Sequence, residues 1–158
     1  DVGRGLLEPT IVKYRGSFWM SIRAEDGRGW WSSSTDGLDW GPLRYWHFDD
    51  RVLVETDTTQ QRWLEWNDCL WLVYTRKHPD NESVFRWRAP LFISQFNIDD
   101  GSLIRSTECR LLPSENEELH RIGNFHPLAL SATEAIVTVS EGVPESGWNG
   151  RTLLARIS

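Results

Sequence analysis

Three strongly apolar segments recur along the chain, at residues 17–23, 69–76 and 134–141, and polar residues and turn signals bound each of them. Short runs rich in aromatic and β-branched residues between turn signals are typical of β-strands. Each segment follows a shorter strand pattern and a tight turn, and precedes a polar loop and a further strand pattern. The pattern therefore predicts one antiparallel module that recurs along the chain.

A fourth strand is predicted at residues 43–48 in the first module and at residues 105–112 in the second. Four antiparallel strands per unit, with almost no helical periodicity, predict an all-β chain of β-propeller blades. The blades are expected at about residues 8–55, 60–113 and 120–158. Because an open ring leaves strand edges and apolar faces in water, we expect the rest of the propeller, as N-terminal blades or as a second copy, to complete it.

Composition narrows the class of partner. Most of the ten tryptophans lie inside predicted strands, where they are expected to pack between sheets, but tryptophan also forms stacking platforms for sugar rings. A net charge of −6 argues against nucleic acid, and no apolar run is long enough for a membrane helix. Cys69, Cys109 and the four histidines lack metal-ligand spacing, so no metal or other cofactor is predicted. The compartment is left open.

The stretch S-T-D-G-L-D-W, residues 34–40, joins the third and fourth strands of the first blade. Asp36 is able to accept hydrogen bonds from its own turn, and Gly37 supplies a positive φ, so a structural role is predicted for Ser34, Asp36, Gly37 and Trp40. The stretch resembles the Asp-box of the bacterial neuraminidase repeat, although Asp is followed directly by Gly and Asp39 stands where Thr is usual.

Four further segments look like the later blades of bacterial sialidase-like proteins. They are L-E-P-T-I-V at 7–12, I-R-A-E-D-G-R-G at 22–29, V-F-R-W-R-A-P-L-F-I at 84–93 and R-I-G-N-F at 121–125. The resemblance implies an incomplete six-bladed propeller that acts on the terminal sugars of glycans, acidic sugars included. It also implies an arginine trio, a tyrosine–glutamate pair and an acidic aspartate.

Blade geometry predicts where this chemistry lies. The loops after each second strand share one face with the connections between blades, and the Asp-box turn lies on the opposite face. A sugar carboxylate needs a planar cationic clamp, which arginine provides, and Arg23 and Arg88 are favoured for it. The candidate substrate-binding residues are Arg23, Arg76, Arg86, Arg88, Asn124 and His126, and the candidate catalytic residues are Glu8, Glu25 and Asp26.

Three functions stay open at this stage. The leading hypothesis is a sialidase-like glycoside hydrolase, but Tyr14, Tyr45 and Tyr74 are expected near strands or on the far face, which leaves the nucleophile unidentified. The second is a non-catalytic carbohydrate-binding or interaction propeller. The third is a glycosidase of another propeller family, with Glu8 and Asp26 as the carboxylate pair on a neutral sugar. Trp87 and Trp148 are candidate sugar platforms.

Overall fold

The computed structural model describes residues 3, 5–113, 120–143 and 149–158, and these residues form three antiparallel sheets. The prediction of an all-β chain of propeller blades is confirmed. The number of blades in a complete ring, and the identity of what completes it, stay predictions. Among the described residues, no helix has the length and apolarity needed to cross a membrane.

The first sheet has four strands in sequential order: β1 (Leu7–Tyr14), β2 (Ser17–Arg23), β3 (Gly29–Ser34) and β4 (Arg44–Tyr45). The second has five: β5 (Gln61–Trp66), β6 (Cys69–Tyr74), β7 (Leu91–Asn97), β8 (Ser102–Leu103) and β9 (Cys109–Leu112). The third has three: β10 (Arg121–Ser131), β11 (Glu134–Val143) and β12 (Asn149–Ile157). Short 3-10 turns span Pro79–Asn81, Phe85–Trp87 and Arg105–Thr107.

The fourth strands of the first two blades are shorter than the pattern predicts. In the first blade it is reduced to β4, and in the second it is divided into β8 and β9, which both pair with β7. The division follows from Thr107, whose hydroxyl donates to the carbonyl of Ile104 at 2.7 Å and accepts from the backbone N–H of Gln95 at 2.9 Å. A side chain thus occupies a position where a ladder bond would form.

Tight hairpins close the inner strands at one end of the first two sheets. Asn67 and Asp68, between β5 and β6, both have positive φ, as do Arg15 and Gly16 between β1 and β2. Positive φ at both central residues is the requirement of a type I′ turn, whose twist matches that of paired strands. The longer loops after β2 and β6 therefore lie at the opposite end, which we call the rim.

Phe96 on β7 is surrounded by four tryptophans, so the prediction that tryptophans pack between sheets holds for these residues. The ring centroids of Trp19, Trp31, Trp46 and Trp63 lie 5.3–5.4 Å from that of Phe96. This cluster joins the first sheet to one face of the second, and aromatic pairs at such distances each add about 0.5–1.5 kcal/mol beyond burial.

A second core lies between the other face of the second sheet and the third sheet. Val73 and Ile93 pack there with Phe125 and Val137, all at most 2% exposed. The second sheet is therefore covered on both faces, which explains the continuous apolar run of β6. On the third sheet, Leu128 and Leu154 are more than half exposed.

Candidate functional site

The rim brings Arg23 and Glu8 together at the ends of the first two strands. Glu8 has a φ of +48° and lies in a register shift between Leu7 and Thr10, an irregularity of the kind that redirects a side chain. Its Oε1 accepts from the Arg23 guanidinium at 2.6 Å. The same guanidinium donates to the carbonyl of Thr58 at 2.7 Å, so Arg23 is held by two parts of the chain.

Arg86 and Arg88 are two residues apart, which is the spacing of side chains on one face of a strand, but they do not lie on a strand. Residues Phe85–Trp87 form a 3-10 turn in which Arg86 and Trp87 both have positive φ. Non-glycine residues in this region are uncommon and strained, and such strain is concentrated at functional sites. The turn leaves the Arg86 and Arg88 side chains close enough for their charges to interact. Arg86 Nε lies 4.0 Å from an Asp57 carboxylate oxygen.

Arg88 is a half-buried cation of the rim with like charges around it. Burial lowers the pKa of its guanidinium, and the charges of Arg86, Arg23 and Arg121 lower the pKa further, whereas Glu8 acts in the opposite direction. Arg86 and Arg121 both lie over the Phe85 ring, at 5.2 and 4.1 Å from its centroid, and Arg88 is hydrogen-bonded to the residue after Arg121. We call Arg23, Arg86, Arg88 and Arg121 the arginine cluster. A half-buried cation surrounded by like charge is typical of a site that receives an anion.

The hydrogen bonds of Arg88 leave it with spare donors. One terminal nitrogen donates weakly to the carbonyl of Ile122 at 3.4 Å, and the buried Nε has no hydrogen-bond partner among the described residues. None of the described carboxylates forms an ion pair with Arg88. Phe85, which is 53% exposed, lies 4.1 Å below the Arg121 guanidinium and presents an aromatic surface beside the cluster.

The loop that carries these arginines is organised by one buried amide. Asn81 is 0% exposed, and its Nδ2 donates to the carbonyls of Arg76 and Ala89, each at 2.8 Å. Its Oδ1 accepts from the backbone N–H of His78 at 2.8 Å. The amide therefore ties the two ends of the loop together, which fixes where the Phe85–Trp87 turn lies.

Asn124 and His126 lie on β10, which begins beside Arg88: the N–H of Ile122 donates to the Arg88 carbonyl at 2.9 Å. Asn124 is exposed within a register shift, next to Phe125, whose N–H points to the Gln60 side chain at 3.4 Å. His126 is exposed farther along β10, opposite Thr138. The strand thus brings Asn124 near the rim opening and places His126 on the sheet surface.

Arg76 does not join the arginine cluster. Its Nε and a terminal nitrogen bind both oxygens of Glu108, at 2.8 and 2.6 Å, in a bidentate pair. Tyr74 donates to the same carboxylate at 2.5 Å and is fully buried. Burial, followed by the charge of Glu108, raises the pKa of Tyr74 well above its usual range. This tyrosine–glutamate pair is structural, because a nucleophile needs access and a lowered pKa.

Asp26 lines a separate cleft of about 280 Å³ on the rim, together with Tyr45, Glu55 and Trp87. Tyr45 thus lies on the rim face rather than on the far face. Asp26 Oδ1 accepts from the backbone N–H of Arg28 at 3.1 Å and from the indole of Trp30 at 3.4 Å. Glu25 turns away toward Gly3, where a Cβ would stand 2.7 Å from its Oε2.

The predicted Asp-box stretch forms a turn at the end opposite the rim. Asp36 Oδ1 accepts from the N–H groups of Leu38 and Asp39 at 2.8 and 2.9 Å and from the Ser34 hydroxyl at 3.0 Å. The bonds from Asp39, Leu38 and Ser34 hold the pKa of Asp36 below its usual range. Gly37 has a φ of +79°, and the ring of Phe18, not of Trp40, lies against it. Trp40 is half-buried.

Several contributors to the rim had no periodic signal in the sequence. Asp57, Thr58 and Gln60 lie in a polar segment before β5 that reads as an ordinary connection, and Phe85 and Arg121 are brought together only by the packing of sheets. Trp148 and the third rim loop, 144–148, lie outside the described residues. Within the described part of the chain, no group of three or more His, Cys, Asp or Glu side chains is placed to hold a metal ion.

Comparison with known proteins identifies the fold. No family model matches the chain, and no curated protein matches it. A Bacteroides ovatus protein described as "Xyloglucan PUL GH43B" superposes with a TM-score of 0.57 at 13% identity, over 96% of this chain and 26% of its own. A thermostable family-43 glycoside hydrolase superposes with a TM-score of 0.61 at 11% identity, over 98% of this chain and 48% of its own.

The likeness supports a propeller and not specifically a sialidase. Family 43 is a family of five-bladed propellers, whereas the sialidase resemblance implied six blades. The chain spans about a quarter of one neighbour and about half of the other. At 13% and 11% identity the similarity concerns the fold alone.

Proposed function

We propose that the protein is a glycoside hydrolase of propeller fold that acts on terminal sugars carrying a carboxylate, and that the arginine cluster binds that carboxylate. The proposal is carried by Arg88, a half-buried guanidinium beside three other arginines and without a carboxylate partner among the described residues. An arriving carboxylate would offset the like-charge repulsion and satisfy the spare donors.

Glu8 is the candidate acid/base in this proposal. It is hydrogen-bonded to Arg23, and its side chain is 46% exposed at the rim opening. A carboxylate that touches the clamp is positioned to exchange a proton with the sugar bound there. Asp26, in the neighbouring cleft, is the second carboxylate of the rim.

A second candidate is a propeller glycosidase that acts on neutral sugars with Glu8 and Asp26 as its carboxylate pair. The favouring observation is the fold, since both structural neighbours are described as family-43 glycoside hydrolases or carry that family's label. A non-catalytic carbohydrate-binding propeller is the third, because Tyr74, the tyrosine that is hydrogen-bonded to a glutamate, is fully buried and so is not accessible as a nucleophile.

Recognition of the sugar carboxylate by the arginine cluster is tested with N-acetylneuraminic acid and its methyl ester, in which the charged carboxylate is replaced by an uncharged ester. Calorimetric titration should give binding of the acid and at least tenfold weaker binding of the ester. Arg88→Ala should weaken binding of the acid by about 10–100-fold, as expected for a lost charge-assisted pair, and Arg88→Lys should restore only part of it. Arg156→Ala, on an exposed strand position, is the charge-matched control.

Catalysis is tested with fluorogenic sialosides and neutral fluorogenic glycosides. Hydrolysis of the sialoside that Glu8→Gln abolishes, while binding of the acid persists, would support the enzyme. Binding without turnover would favour the non-catalytic propeller, and turnover of neutral glycosides alone would favour the second candidate. Equal affinity for acid and ester would overturn the carboxylate site.

A further inference from the structure

A group of buried threonines holds the chain segment that carries Asp57 beside the arginine cluster. Thr58 and Thr59, shortly before β5, and Thr75, just after β6, are each 2% exposed. The Thr75 hydroxyl donates to the Thr59 hydroxyl at 3.0 Å, and the backbone N–H of Thr59 donates to the Asp57 carbonyl at 2.6 Å. Because these bonds are made by buried groups, they tie the backbone of Asp57 to the core.

The Asp57 side chain is held as well, and it faces Arg86. Its Oδ1 accepts from the backbone N–H of Thr58 at 2.5 Å and lies 4.0 Å from Arg86 Nε. The carbonyl of Thr58 accepts from Arg23 at 2.7 Å, so this short segment contacts two members of the arginine cluster. Asp57 therefore places a fixed negative charge beside the cluster.

The pair of Asp57 and Arg86 contributes little to folding. Its charged groups are 4.0 Å apart, and 36% of the Asp57 side chain and 34% of the Arg86 side chain are exposed. Ion pairs with this exposure are weak. Arg86 also has a φ of +56°, in the left-handed region that is strained for a residue other than glycine. A strained cation in a weak, accessible pair indicates a role in binding rather than in stability.

The carboxylates near the cluster are unevenly distributed. Arg23 is bonded to Glu8 at 2.6 Å and Arg86 faces Asp57, whereas none of the described carboxylates forms an ion pair with Arg88. One anionic group is therefore able to bind at Arg88 away from Asp57. A second anionic group at Arg86 would approach the Asp57 carboxylate, and like charges a few ångströms apart repel. An opposing charge of this kind is a common source of specificity.

We propose that Asp57 restricts the arginine cluster to ligands with one negative charge, because it repels a second anionic group from Arg86. The identity of the first group, a sugar carboxylate at Arg88, rests on the proposed function, but the repulsion at Arg86 does not. Sugar acids with a single charge are then admitted, and sugars that carry a sulfate or phosphate ester in addition to the carboxylate are disfavoured.

The restriction is tested with two inorganic anions, nitrate with one charge and sulfate with two, titrated into the protein at constant ionic strength. Asp57→Asn removes the charge and keeps an Oδ1 acceptor for the Thr58 N–H. This variant should bind sulfate about tenfold more tightly than the wild type, and nitrate less than about threefold more tightly, because one charge is accommodated at Arg88. Adding Arg86→Ala should abolish the gain for sulfate. Asp80→Asn, a charge-matched change in the same loop, is the control and should alter neither affinity.

A gain for sulfate that depends on Arg86 supports the restriction even where N-acetylneuraminic acid does not bind, in which case the proposed function alone fails. Three results would overturn the inference: no sulfate binding by Asp57→Asn, a gain for sulfate no larger than the gain for nitrate, or a gain that survives Arg86→Ala or appears in Asp80→Asn. Binding of N-acetylneuraminic acid that Arg88→Ala weakens would leave the proposed function standing in each of these cases.

Discussion

Replacing the buried amide Asn81 tests whether the rim loop is held as described. Asn81→Ala removes three hydrogen bonds, to the carbonyls of Arg76 and Ala89 and from the N–H of His78. Ala89 is 0% exposed, so its carbonyl would be buried without a donor, which costs about 1–3 kcal/mol. Loss of the bonds at the Arg76 carbonyl and at the His78 N–H costs about 1 kcal/mol each. The free energy of unfolding should therefore fall by about 3–5 kcal/mol.

Urea denaturation followed by fluorescence measures this change, and a thermal melt should shift down by about 10 °C for a chain of this size. Asn81→Asp should be at least as destabilising at neutral pH, because a carboxylate is unable to donate to two carbonyls. Asn97→Ala is the control, since its side chain accepts one exposed turn bond from Asp99 at 3.0 Å and should cost less than about 1 kcal/mol.

The same substitution should also weaken binding of an acidic sugar, because the loop that Asn81 closes carries the Arg88 side chain. A loss of stability below about 1 kcal/mol in Asn81→Ala, or a loss equal to that of the control, would refute the reasoning. The loop would then be positioned by other contacts.

Three further outcomes are expected. Tyr74→Phe should lower stability by about 1.5–3 kcal/mol through the lost bond to Glu108, and any glycoside hydrolysis should persist; a selective loss of turnover in a folded variant would make Tyr74 catalytic. Phe96→Leu should cost about 1–3 kcal/mol in urea denaturation because four tryptophan contacts are lost, and a smaller change would contradict the packing. Asp36→Ala should lower the free energy of unfolding most at neutral pH, because the folded state holds the pKa of Asp36 below that of the unfolded chain. This stabilisation is present above the ordinary aspartate pKa and is lost as the pH falls below about 4. A difference in unfolding free energy between variant and wild type that is independent of pH between about 2 and 7 would count against the turn.

Much of the fold was accessible from the sequence because short apolar runs bounded by turn signals mark strands. The apolar segments at 17–23, 69–76 and 134–141 did become β2, β6 and β11. The positions of β4 and β9 within the predicted fourth strands were accessible too, but their lengths were not, since local side-chain bonds such as those of Thr107 leave no pattern in the sequence.

The candidate site was accessible only in part. Arg23, Arg88 and Glu8 were identified by residue type and by the face on which their loops lie, and they do lie together. The alternation F-R-W-R at 85–88 is strand-like, yet the backbone there forms a 3-10 turn. The loop is closed by the hydrogen bond from Asn81 to the Ala89 carbonyl, and in the sequence Asn81 does not differ from other polar loop residues. The Glu108 partner of Arg76 is distant in sequence, so nothing local distinguished that arginine from the others.

A crystal structure of the protein soaked with N-acetylneuraminic acid tests the central claim most directly, because it shows where a sugar carboxylate binds. We predict both carboxylate oxygens within about 3.2 Å of the Arg23 and Arg88 guanidinium groups, with Glu8 facing the ring. A carboxylate bound away from the rim, or a protein carboxylate already seated on Arg88, would contradict it.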